Sequence, residues 1–101
     1  MSTLIVLFNL KGGTQREAYE QWARDVDLPT AGALRSVDSF EVLKATGLLT
    51  GGPSPYEYVE VLRINDMGQL GAEAGTPTMK AVSAQFQEFA DQPLFIVTES
   101  L

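Results

Sequence analysis

Two stretches with helical spacing, each set between strand-like runs, constrain this chain more than anything else in it. The apolar run 4–10 precedes a helical pattern over 14–26, and two extended runs, 37–49 and 56–64, flank the turn-rich residues 51–55. A second helical region covers 66–90, and the apolar run 94–98 follows it. The order β-α-β-β-α-β predicts an α+β ferredoxin-like plait in a single domain, residues 1–101. In such a sheet the first and last strands are expected as neighbours near the centre, with helices on one face only. Both Leu4-Ile5-Val6-Leu7-Phe8 and Leu94-Phe95-Ile96-Val97 are apolar at consecutive positions. That pattern is expected where both faces of a sheet are buried. The uncovered face therefore needs outside cover. A second copy is the simplest, because two-fold dimers are the commonest oligomers; a different protein is the alternative.

Charge narrows the partners. Thirteen acidic residues against seven scattered basic ones leave a formal charge of −6. A nucleic acid or an anionic membrane would need clustered Lys and Arg, so neither is expected. The absence of cysteine fits a reducing, cytoplasmic setting. The first apolar run has no basic flank or small-residue cleavage site, and reads as a strand rather than a leader.

Along the first helix, Thr14-Gln15-Arg16-Glu17 forms a T-x-x-E capping pattern. Tyr19, Trp22, Ala23 and Val26 form its apolar face. Asp27-Leu28-Pro29-Thr30 interrupts it, with Asp27 expected to cap a new short turn and Pro29 seated within that turn. A helix that stops early over a sheet leaves a gap, and gaps become pockets. Asp66-Met67-Gly68-Gln69 is a second capping pattern. Three glycines then weaken the helix, until Thr76 and Pro77 restart it with Met79, Val82, Phe86 and Phe89 as the buried stripe. In the strand 56–64, alternation puts Tyr56, Tyr58, Glu60, Leu62 and Ile64 on one face.

Without histidine or cysteine, Ser-His-Asp, Cys-His and thiolate chemistry are excluded, as are zinc sites built on imidazole or sulfur. No Walker loop, G-x-G-x-x-G or D-x-D-x-D loop occurs, so no metal or organic cofactor is expected. Carboxylates and tyrosines remain, and they support acid–base chemistry at most. Glu60, between Tyr58 and Leu62 on an apolar face, is the first catalytic candidate, because desolvation would raise its pKa. Its plain alternative is a salt-bridged carboxylate at a dimer edge. Asp27, at the break in helix one, is the second, with a simple cap as its alternative. The expected ligand-binding residues are Tyr19, Trp22, Tyr58, Asn9, Leu28 and Phe86, with Tyr56 a further flat surface. Each aromatic could equally be core. Asn9 breaks an apolar strand, and its amide needs partners or a ligand.

Several stretches also carry a resemblance in combination. They are Leu4-Ile5-Val6-Leu7-Phe8-Asn9-Leu10-Lys11, Asp27-Leu28-Pro29-Thr30, Leu43-Lys44-Ala45-Thr46-Gly47-Leu48-Leu49 and Tyr56-Glu57-Tyr58-Val59-Glu60-Val61. Ile64-Asn65-Asp66-Met67, Thr76-Pro77-Thr78-Met79 and Phe95-Ile96-Val97-Thr98-Glu99-Ser100-Leu101 complete the set. Over essentially its whole length the chain resembles the REDY-like, or HapK, family. The resemblance implies a dimeric α/β barrel encoded with pathways for prodiginines, red tripyrrole pigments built by condensing a bipyrrole aldehyde with a monopyrrole. No catalytic set is carried over with it. The expectation is an accessory protein that binds a small aromatic or pyrrole ligand and assists condensation or dehydration. The rivals are a non-catalytic binding module, docked by a pathway enzyme, and a cofactor-free monooxygenase or cyclase.

Overall fold

Alternation along the third strand decides which way the sheet faces. The structure, a computed structural model describing residues 2–101, contains strands β1 (Ser2–Leu10), β2 (Val37–Lys44), β3 (Tyr58–Ile64) and β4 (Ala90–Glu99). They form one antiparallel sheet in the order β2-β3-β1-β4. Helices α1 (Arg16–Trp22) and α2 (Leu28–Ala31) are joined by a π turn, Ala23–Asp27, and α3 (Met67–Ala74) and α4 (Pro77–Phe89) precede β4. This is the expected ferredoxin-like plait. The first and last strands do pair, but β4 lies at the sheet edge rather than near its centre. The first hairpin strand ends at Lys44 instead of running to Leu49, because Gly47, Gly51 and Gly52 all adopt positive φ in the link.

One face carries the core. Tyr58, Glu60, Leu62 and Ile64 of β3 are all buried there, beside Val6 and Phe8 of β1. Phe8 is the hub. Its ring stacks on Tyr58 at 5.6 Å and meets Tyr19 and Phe86 edge-on at 5.5 and 4.9 Å, the geometries that aromatic quadrupoles favour.

The other face is bare. Ile5 and Leu7 pair with Val61 and Val59 on one side and with Ile96 and Leu94 on the other, making a six-residue apolar row with no helix over it. Leu94 and Ile96 are 46% and 41% exposed. The continuous apolar run of β4 is thus uncovered within a single chain.

Helix one differs from the expected pattern. Thr14 does not cap it; Gln15 holds the N-cap position without a side-chain bond. Nor does the helix stop at Asp27, whose backbone stays helical and whose side chain caps nothing. Instead the ladder widens, and Leu28 N–H donates to the carbonyl of Ala23, five residues back. Pro29 explains the widening: a proline ring clashes with the carbonyl four residues earlier, and a wider turn moves that carbonyl away. The other two caps form as expected. Asp66 accepts from Gln69 N–H at 3.0 Å and Thr76 from Met79 N–H at 3.3 Å.

Truncating Phe8 to Ala, which empties the centre of the aromatic cluster, should cost about 3–5 kcal/mol of unfolding free energy. Thr76→Ala should cost about 1 kcal/mol. Urea denaturation followed by circular dichroism checks both.

Candidate functional site

The wide turn in helix one has a chemical consequence. Tyr19, Ala23, Asp27 and Ala31 are spaced four apart, and all four are buried. In an uninterrupted α-helix each four-residue step overshoots a turn by about 40°, so the fourth residue would rotate off the inner face. A π turn advances less per residue and cancels that drift. Asp27 is thereby held facing the sheet, 6% exposed.

Opposite it stands Glu60, at the middle of β3. Its cross-strand neighbours are Val6 and Val42, and it too is only 6% exposed. Asp27 and Glu60 share a cleft of about 230 Å³ between helices and sheet, walled by Phe40, Leu62, Leu70, Phe86 and Phe95. Apart from the two carboxyls, its only polar lining residue is Ser83. None of the ion pairs among the described residues includes either carboxyl. Oε2 of Glu60 and the hydroxyl of Tyr19 are buried without any hydrogen-bond partner.

Burial pushes the Glu60 carboxyl up from 4.5 to about 8, with the charge of Asp27 adding to the shift. Burial alone pushes Asp27 up from 3.8 to about 6. The larger shift of Glu60 comes first from burial and then from Asp27, which ionises earlier and leaves a charge against which Glu60 must ionise. At neutral pH the cleft therefore holds a protonated carboxyl and a carboxylate side by side, an acid and a base. The Tyr19 hydroxyl is held well above the usual phenol range, by burial first and then by Glu60 and Asp27. Among the described residues no three metal-ligating side chains converge.

The other anticipated residues separate into distinct places. Phe86 lines the cleft. Leu28 and Tyr58 do not; with Tyr19 they line a second groove on the other side of helix one, also about 230 Å³. There Tyr58 donates its hydroxyl to Glu20 at 2.6 Å, and Lys44 pairs with the same carboxylate at 3.1 Å. Trp22 packs against Phe89 and Phe86, donating its indole N–H to Gln85 at 2.7 Å. Asn9 lies at the far end of β1. Its amide donates to the carbonyl of Pro55 and accepts from Glu57 N–H, pinning the hairpin link, and with Tyr56 it borders a separate shallow pocket. Sequence reasoning missed Phe40, Ser83 and Phe95. Alternation with Val42 could have found Phe40, and spacing from Met79 could have found Ser83. Phe95 lies in an unbroken apolar run, where no period marks a face.

The description "REDY-like protein HapK" is that of a family model matching residues 2–101. The crystal structure of HapK from Hahella chejuensis is 32% identical, over 100% of this chain and 93% of that one, with a TM-score of 0.80. A DABB family protein with a ferredoxin-like fold from Mesorhizobium loti is 19% identical, over 99% of this chain and 96% of that one, with a TM-score of 0.76. A dimeric ferredoxin-like protein of unknown function from Thermobifida fusca is 17% identical, over 98% and 90%, with a TM-score of 0.74. These last two show the fold alone. No curated protein matches the chain.

Because the folded state holds Glu60 protonated while the unfolded chain ionises near 4.5, the folded state binds the extra proton. The stability this group contributes is full below 4.5 and falls as pH rises toward about 8. Glu60→Gln should abolish that loss, and above it the variant should be more stable than the parent by a few kcal/mol. Urea midpoints measured across this range are the check.

Proposed function

This chain belongs to the REDY-like HapK family, and from that premise we propose that it binds a flat, largely apolar pyrrole intermediate of prodiginine biosynthesis and assists its condensation or dehydration. The observation that carries this reading is the pairing, inside one apolar cleft, of a carboxyl held protonated with a second that ionises more easily. Coupling a bipyrrole aldehyde to a monopyrrole first gives a carbinol. Glu60 gives its proton to the carbinol hydroxyl, the C–O bond breaks and water leaves. The lone pair of the adjoining pyrrole nitrogen takes up the positive charge. That nitrogen's proton then passes to the Glu60 carboxylate, leaving the conjugated product and restoring the acid. Phe86 and its aromatic neighbours hold the rings. Leu28, Trp22, Tyr58 and Asn9 lie outside this cleft and act through helix and loop placement.

The protein works as a homodimer in this reading, with two bare sheet faces packed together. Its support is the apolar row of Ile5, Leu7, Val59, Val61, Leu94 and Ile96, alongside a neighbour of the same fold that is described as dimeric. Val61→Lys places a charge in that row and should convert the dimer to a monomer in sedimentation velocity.

Reconstituted coupling, followed by mass with and without the protein, tests the chemistry. Dehydration of the carbinol should accelerate with the protein present, and Glu60→Gln should lower that acceleration by about a hundredfold or more. Unchanged dehydration with the intermediate still bound would make the protein a carrier.

A further inference from the structure

The cleft that holds the two carboxyls has walls of one electrostatic kind. Asp27 comes from the π turn and Glu60 from β3; Tyr19, the remaining titratable group facing them, comes from α1. The faces of β1, β2, β4, α3 and α4 that close the cleft bring no charged side chain. Three of the seven basic residues, Arg16, Arg24 and Lys44, are held in ion pairs with Glu57 and Glu20 elsewhere. A buried charge is ordinarily matched by an opposite one, and no side chain among the described residues does so here. Oε2 of Glu60, on a residue more than nine-tenths buried, is left without a hydrogen-bond partner.

We propose that the cleft selects its occupant as a cation: a flat, apolar nitrogen compound, positively charged when bound, with Asp27 and Glu60 as its counter-ions. This rests on the reading of the cleft as the ligand site. A neutral ligand leaves the Asp27 charge unmatched, so the neutral carbinol is held more weakly than the cation it yields, and an anion is repelled. A protonated nitrogen supplies both the countercharge and the donor that Oε2 of Glu60 lacks. The rings of Phe40, Phe86 and Phe95 add faces and edges that suit a delocalised cation. Binding has a proton signature. Glu60 is mostly protonated in the free protein at neutral pH, and a cation beside it favours the carboxylate. A cation that enters ready-formed, as a probe does, sends that proton to solvent; a cation formed in the cleft from the neutral carbinol sends it out with the departing water.

Two planar probes of nearly equal shape test this by titration calorimetry at neutral pH. They are 4-aminoquinoline, which is protonated there, and 4-methylquinoline, which is not. The cation should bind at least about tenfold more tightly, and its binding heat should differ between phosphate and Tris buffers because a proton is released. The neutral probe should show no buffer dependence. In the Asp27→Asn, Glu60→Gln double variant the preference and the proton release should vanish while 4-methylquinoline still binds, which also shows that the cleft is intact. Equal affinity for the two probes in the parent protein would overturn cation selection but leave the cleft as a ligand site. Binding of neither would overturn both readings.

Discussion

A carboxyl group in the middle of a sheet, flanked by two valines, is the constraint on which the rest of this structure turns. Glu60 cannot leave its place without shifting β3 by one residue, and that shift would expose Tyr58, Leu62 and Ile64 together. The register that buries the core therefore buries the acid. The core must in turn offset its cost. Phe8, Tyr19, Tyr58 and Phe86 supply large apolar surfaces in edge-on and stacked contact at the same level of the sheet. The site is thus built into the core rather than carried on a loop.

The second carboxyl arrives by a different route. Asp27 faces inward because helix one contains a π turn, and the π turn accommodates Pro29. Backbone geometry, not a charge partner, brings the two acids together. The result is an environment that separates their ionisation, with Glu60 pushed further up than Asp27. The groove on the far side of the helix is chemically the opposite: Glu20 there is satisfied by Tyr58 and Lys44. A fully paired carboxylate braces the fold, whereas the two in the cleft have no ion-pair partner among the described residues.

Much of this was readable in advance, for reasons that can be named. Alternation in β3 placed Glu60 on one face with Tyr58 and Leu62, and the proline after Asp27 marked the irregular turn. Thr76 and Asp66 announced their caps, because a short polar side chain before a helical pattern has few better uses. Other residues misled. Thr14 carries a capping pattern, yet the chain starts its helix at Arg16. Asn9 looked like a ligand-facing amide, and the hairpin link takes both its hydrogen bonds. Tyr58 is buried as alternation requires, but its hydroxyl reaches past the core to Glu20.

The sequence by itself determined the order of strands and helices, which residues of β3 share a face, the absence of imidazole and thiol chemistry, and an uncovered apolar sheet face. Those properties follow from local periodicity and composition, which need no long-range information. Tertiary structure alone decided that Asp27 and Glu60 share one cleft, that Tyr58 and Leu28 belong to another, and that β4 sits at the edge. Each of these depends on how far one helix rotates over the sheet and on which strand pairs with which. The packing that sets them joins residues more than thirty positions apart, beyond the reach of any local pattern.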